Sequence, residues 1–290
     1  MRKQRSVIGK KRSQLGEVWH RLKKNKAAVV SLVVLALIII TAILAPVLAP
    51  YGYEQEDYSA SFAPPSREHL LGTDRLGRDI LSRLLYGSRQ SLQMGLFASI
   101  IAAACGIILG SISGYYGGIV DSIIMRFLDI FQGIPMFLMC VVLAAVMGPS
   151  LRNAIIAIGI ASMPQYARLM RASILTIGEM EYIEAAKAIN SSNSRIIFKQ
   201  IIPNAISPLI VSLTMDMGSC VLAGASLSFI GLGVQAPIPE WGAMISDARS
   251  FLRGHSELAL YPGICVMITV LAFNLLGDGL RDALDPRLKN

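Results

Sequence analysis

Charge is what this sequence has least of. Asp, Glu, Lys and Arg make up 16% of its 290 residues while 53% are hydrophobic, against about 25% charge in soluble domains. A water-soluble globular protein is thereby excluded, and an integral membrane protein is expected. Phosphate-binding signatures are missing too. No Gly-x-x-x-x-Gly-Lys-Ser/Thr loop occurs, so the chain is not expected to bind or hydrolyse ATP itself. Histidine is scarce: His20, His69 and His255 lie far apart and outside the apolar runs, which leaves no metal cluster and no intramembrane hydrolytic dyad to propose. Cys105, Cys140, Cys220 and Cys265 all sit within apolar runs with neither paired nor metal-ligand spacing. They read as packing residues and say nothing of redox compartment. No catalytic residue and no metal ligand is expected on this chain.

Positive charge is present but localised. The net charge is +8, and ten of the 27 Lys and Arg residues fall in the first 26 positions, immediately before an apolar run. Such placement is a topology signal rather than a nucleic-acid footprint. Residues 1–26 form a basic arm in which Val18, Trp19 and Leu22 offer a short apolar face to the membrane surface. Residues 27–50 then run for 24 positions without a charge, enough for a core of about 30 Å that takes roughly 20 helical residues. A signal peptide has a shorter apolar region, of about 7 to 15 residues.

Residues 51–66 have a loop composition and are expected outside the cell. Beyond them Leu76, Ile80, Leu81, Leu84 and Leu85 recur at helical spacing, predicting an interfacial helix that ends an extracytoplasmic segment at 51–89. The second span, 90–114, carries Ala98, Ala102, Gly106, Gly110 and Gly114 at four-residue intervals. A stripe of small residues lets helix backbones approach closely in lipid, so packing is favoured over a pore role. Residues 117–129 read as a short cytoplasmic turn in which Arg126 and Asp129 form a local ion pair rather than a gate. The third span is 130–148, bent at Pro135, and the fourth starts at 153 and continues past Arg168 and Arg171. The fifth is 205–229, residues 231–249 form a broken outer or re-entrant segment, and the sixth is 258–277. A tail occupies 278–290. With both termini inside, 19 of the 27 Lys and Arg residues lie on the cytoplasmic side and eight outside, as the positive-inside rule requires.

Between spans four and five lies a polar island, residues 180–204. Helix formers dominate 181–189, Asn190 is suited to a left-handed helix close, and the following serines can cap a second helix over 194–201 that Pro203 stops. Glu184, Ala185 and Ala186, with a turn residue six positions after the Glu and Ile202–Pro203 at the end, resemble the EAA loop of ABC importer permeases. The family usually has Gly in place of Asn190 and Ile or Leu in place of Gln200. The string through Gly72, Thr73, Asp74, Gly77, Arg78 and Asp79, the stretches 226–233 and 239–242, and the closing segment are similar to the dipeptide, oligopeptide and nickel permeases, in particular their second permease subunit.

The resemblance implies an all-α polytopic fold with six transmembrane helices, a permease core at 90–277 and a cytoplasmic helix-turn-helix coupling loop at 179–204. It assigns ATPase docking to Glu184, Ala185, Ala186, Asn190, Arg195, Ile202 and Pro203. It also implies a homologous sister permease, two ATPase subunits that carry ATP and magnesium, an extracytoplasmic solute-binding protein, and a place in the bacterial cytoplasmic membrane. Peptides, or a related solute such as nickel, are the implied cargo. Asp216, the one charge in 200–239, reads either as a pathway-lining acid or as a protonated or hydrogen-bonded packing residue at a subunit interface. It keeps a secondary transporter open as the alternative, and a membrane scaffold without transport is a third reading.

Overall fold

The computed structural model describes residues 14–284. Among them twelve α-helices follow in order: α1 (Gln14–Leu22), α2 (Lys26–Ile43), α3 (Ala45–Leu48), α4 (Ile80–Tyr116), α5 (Gly118–Gln132), α6 (Met136–Met147), α7 (Leu151–Gly178), α8 (Glu181–Ala188), α9 (Asn193–Ile196), α10 (Ile202–Phe229), α11 (Trp241–Ala248) and α12 (Glu257–Leu284). The described residues contain no strand, only an isolated bridge between Thr73 and Asp79. The basic arm before residue 14 and the tail beyond 284 lie outside the described residues.

Local chemistry sets the helix ends. Asn25 caps α2 through the Ala28 amide at 3.2 Å, and Asp79 caps α4 through the amide of Ser82 at 2.8 Å. From that cap α4 runs unbroken for 37 residues to Gly117, which takes a positive φ of 63°. At about 1.5 Å per residue this helix is roughly 55 Å long, well beyond a hydrocarbon core of about 30 Å. The expected separate interfacial helix is therefore the projecting first turns of α4, and Leu76 lies before its cap.

Two expectations are corrected. Residues 117–129 are not a turn: α5 occupies most of them, and its charged residues find partners on α7 instead of breaking the helix. Asp121 accepts two hydrogen bonds from the Arg171 guanidinium, both at 2.6 Å, and Asp129 pairs with Arg168 at 2.5 Å. The local Arg126–Asp129 pair is thus replaced by a contact between helices. The bend expected at Pro135 is present and sharp: α5 and α6 meet at 88°, because Pro135 cannot donate a helical hydrogen bond across the break. Residues 231–249 are also more regular than expected, since they contain α11, capped by the Glu240 carboxylate on the amide of Ala243 at 3.0 Å.

Four helical runs are long and apolar enough to cross a membrane, namely α2, α4, 193–229 and α12, and the bent α5–α6 pair makes a fifth. Helix α7 has 28 residues, so about 42 Å of length at about 1.5 Å each. It is the least apolar of the long helices, and one face of it packs against protein: Ala154, Ala157, Ile158, Tyr166, Ala167 and Met170 are all fully buried. Helix α4 lies along one side of it, and α6 and α10 cover others.

The small-residue stripe is the α4–α7 seam. A Cβ on Gly106 would stand 2.4 Å from the Tyr166 Cβ, and one on Gly110 would stand 2.2 Å from the Ala167 carbonyl oxygen. Neither distance is sterically possible, so these glycines set the separation of the two backbones. At the N-terminus, Val18 and Leu22 do not face lipid as expected but pack on Leu280 and Ala283 of α12, and Trp19 is left exposed beneath the Lys23 ammonium, 5.0 Å from its ring centroid.

This seam makes a prediction. Gly110→Val should force α4 and α7 apart and sharply lower the amount of monodisperse protein extracted from membranes, since overpacking costs about 1 to 3 kcal/mol or more. Gly178→Ala, where a Cβ meets nothing within 4 Å, should leave the yield and the thermal midpoint in detergent unchanged.

Candidate functional site

The polar island folds as a braced helix-turn-helix at one end of the bundle. Helix α8 closes with hydrogen bonds from the amide of Ile189 to the Ala185 carbonyl and from the amide of Ser191 to the Ala186 carbonyl, both at 3.1 Å. Asn190 takes the expected left-handed conformation with φ 56°. The chain then re-enters helix at α9, where the Ile196 amide bonds the Ser192 carbonyl at 3.1 Å.

Pro203 does not stop this second helix. Residues Ile197–Ile201 form a π-helical stretch that runs directly into α10, with Pro203 in its first turn. A proline amide has no hydrogen to lose there, and the wider π spacing relieves the ring's clash with the preceding turn. The second segment of the polar island and the long helix after it are therefore one continuous rod over 193–229.

Burial divides the loop into two faces. Inward, Ile183, Ala186, Ile196 and Ile201 pack against Met170, Ile174 and Ile177 of α7. Outward, Glu184, Ala185, Asn190, Arg195 and Pro203 are exposed, and Ile202 is half-buried. Ala186 is thus small for a reason internal to the chain, a correction to the expectation that it faces a partner. Of the Glu184–Ala185–Ala186 triplet, Glu184 and Ala185 keep the outward position. Sequence reading missed two more outward residues, Ile189 and Phe198, which are 78% and 69% exposed. Phe198 falls out of phase with buried Ile196, Ile197 and Ile201, while Ile189 lies in the turn that follows α8. Side-chain tethers hold the loop: the Tyr115 hydroxyl donates to Asn193 Oδ1 at 2.8 Å, and Asn204 Nδ2 donates to the Gln200 carbonyl at 2.6 Å and to the Tyr182 hydroxyl at 3.2 Å.

Asp216 is not near this loop. It is buried on α10 against α7, where the Tyr166 hydroxyl donates to its Oδ2 at 3.0 Å and the Cys220 thiol lies 3.6 Å from the same oxygen. Within this chain the geometry is that of a hydrogen-bonded packing residue. A second polar anchor, unforeseen from sequence, is Glu240: fully buried, it accepts from the Ser91 hydroxyl at 2.8 Å while the Trp241 indole donates to the Leu84 carbonyl at 3.2 Å. These bonds pin α11 to α4. On the same side Asp79 meets His69 at 3.0 Å and Asp74 meets Arg78 at 2.7 Å. Nearby, Asp57 is held below the usual carboxylate range by hydrogen bonds from the Ser59 hydroxyl and amide.

Two family models match the chain. That of the binding-protein-dependent transport system inner membrane component covers residues 106–290, and that of the N-terminal TM domain of oligopeptide transport permease C covers residues 13–65. A dipeptide transport system permease protein of Alkalihalophilus pseudofirmus is 46% identical over 274 residues, 94% of this chain and 90% of that one. A glutathione transport system permease protein of Pectobacterium atrosepticum is 42% identical over 275 residues, 94% and 91% of the two chains. Among solved structures, an inward-facing MetNI methionine ABC transporter gives a TM-score of 0.57 at 18% identity, covering 71% of this chain and 98% of that one, a likeness of fold. These similarities are to ABC importer permeases and lend nothing to a secondary transporter coupled through Asp216. The chain belongs to the family of binding-protein-dependent transport system inner membrane components, the membrane translocation subunits of ABC importers whose ATPases are separate chains.

Proposed function

We propose that this chain is one of two homologous permease subunits of an importer for short peptides in the bacterial cytoplasmic membrane. Its outward loop face, Glu184, Ala185, Asn190, Arg195 and Pro203 with Ile189 and Phe198, docks on an ATPase subunit. The observation that carries the reading is the braced loop itself. A polar helix-turn-helix with exposed large apolar side chains, Ile189 and Phe198 the most exposed, is fixed by its inner face to α7 and is continuous with α10. Displacement of such a loop moves two long helices, which is what alternating access driven by ATPase closure requires. Peptide cargo follows the names of the relatives, which transport dipeptides and glutathione. A sister permease, a pair of ATPases carrying ATP and magnesium, and an extracytoplasmic binding protein complete the assembly.

The proposed topology has six spans, α7 being added to the five apolar runs, and places both termini and the loop in the cytoplasm. The distribution of Lys and Arg supports it. In a background lacking the four native cysteines, Ser59→Cys should react with an impermeant thiol reagent added outside intact cells, and Ser191→Cys only after the inner face is opened. Outside labelling of both would end the six-span arrangement.

Docking is tested on the outward face. Ala185→Trp adds bulk where overpacking costs about 1 to 3 kcal/mol, enough to weaken docking about tenfold. Glu184→Arg reverses a charge there, and Phe198→Asp removes an apolar anchor. Each variant should stay in the membrane yet lose ATPase copurification and solute-stimulated hydrolysis together, whereas Gln55→Ala on the opposite side should lose neither. Normal ATPase association in all three would place the docking surface elsewhere.

Asp216 serves the frame in this reading. Asp216→Asn keeps an acceptor for the Tyr166 hydroxyl and should transport normally. Asp216→Leu leaves that hydroxyl buried and unpaired, at about 1 to 3 kcal/mol, and should lower the thermal midpoint. Abolished transport in a stable Asp216→Asn protein would instead mark a pathway acid.

A further inference from the structure

A groove with about 360 Å³ of free volume opens between α2, α4, α10 and α12. Its walls are apolar, among them Ile43 of α2, Leu96 of α4 and Phe273 of α12, with two polar exceptions, Arg89 and Gln93 of α4. Arg89 is exposed, and among the described residues its guanidinium has neither an ion-pair nor a hydrogen-bond partner. Its position along the membrane is set by the sequence: the uncharged stretch of α4 begins at the next residue, Gln90, and runs to Tyr116. Arg89 is therefore the charge of α4 nearest the hydrocarbon core on the side of residues 51–79. Gln93 lies one turn further in on the same face, and Leu96 is about 10 Å deeper than Arg89 at about 1.5 Å per residue. Ile43, the last residue of α2, meets the groove at its boundary end.

A lone guanidinium at headgroup depth above an apolar channel has the chemistry of a phosphodiester with an acyl tail. The planar fork of Arg binds two phosphate oxygens at once, and the Gln93 amide can add a donor. We propose that Arg89 and this groove form a binding site for an anionic phospholipid of the leaflet on the side of residues 51–79. Its phosphate sits on Arg89 and one acyl chain lies along Leu96 toward Phe273. Charge complementarity selects an anionic lipid over a zwitterionic one, whose own ammonium competes for the same phosphate. The lipid would bridge α2 to the rest of the bundle, filling space that α2 and α4 leave open between them.

The test uses the full-length chain purified in detergent with the subunits it associates with. It is incubated with phosphatidylglycerol or phosphatidylcholine, and bound lipid is counted by native mass spectrometry. Phosphatidylglycerol should be retained in preference. Arg89→Gln should lower its occupancy about five-fold, the effect of removing about one cationic contact to an anionic lipid, while Arg89→Lys should keep most of it. Ala42→Phe, which fills the groove but leaves the charge, should lower occupancy by both lipids, and Arg67→Gln on the exposed loop should change nothing. A photoreactive side chain at Ile43 should label lipid. Equal occupancy in wild type and Arg89→Gln, equal retention of the two lipids, or labelling of a second protein chain from position 43 would each overturn the proposal.

Discussion

The backbone contact between α4 and α7 is the constraint on which the rest of this structure depends. In lipid no hydrophobic force draws two apolar helices together, so association rests on close packing and on polar contacts. Gly106 and Gly110 leave no room for even a methyl group against Tyr166 and Ala167, and Ala98 and Ala102 continue the same fully buried line. With α4 so close, α7 becomes the central helix of the bundle. Its lower apolar content goes with a face, from Ala154 to Met170, that neighbouring helices cover.

Further polar contacts follow from that placement. Tyr166 lies over Gly106 and directs its hydroxyl to Asp216 on α10, so the only charge in residues 200–239 is satisfied by the helix the glycines brought near. One and two turns on, Met170 and Ile174 form the inner wall against which Ile183, Ile196 and Ile201 of the loop rest. Arg171 reaches the other way, to Asp121 of α5. One helix thus joins the seam, the buried acid, the bent pair and the loop. A force on the loop enters the bundle through α7 by packing and through α10 by chain continuity.

What could be read from the sequence was what depends on neighbours in the chain. The small-residue stripe, the left-handed Asn190 and the break at Pro135 are local signals, and the structure has all three. What could not be read depends on partners far along the chain. Charges in 117–129 suggested a turn because their satisfaction by Arg168 and Arg171, 39 and 50 positions away, has no local trace. Ala186 looked like a docking residue because smallness does not reveal which neighbour requires it. Pro203 looked like a helix stop because the π-helical stretch that accommodates it is not encoded by any single residue type. The loop's outward apolar residues, Ile189 and Phe198, become visible only once the inward set is known.

The two ends of the bundle are held by different physics, and the difference bears on which end can move. At the end near residues 51–79, α4 is fixed by buried polar groups: Arg78, Asp79, Arg83 and Glu240 are each at most 5% exposed. Tyr51 donates its amide to Ser82 and Arg83 donates to the Tyr53 carbonyl. Breaking a buried network leaves charges uncompensated, at about 3 to 5 kcal/mol for one partner. At the loop end the apolar contacts of Ile183 and Ile201 are joined by two solvent-reached ion pairs, Arg168–Asp129 and the less exposed Arg171–Asp121, the more exposed of a kind worth about 0 to 1 kcal/mol. Local opening is drawn from regions with few buried contacts and exposed polar ones. In the function proposed above, buried charges hold the end near residues 51–79 while apolar packing on α7 and continuity with α10 hold the loop, so a pull on the loop would pass into those two helices before the capped end yields.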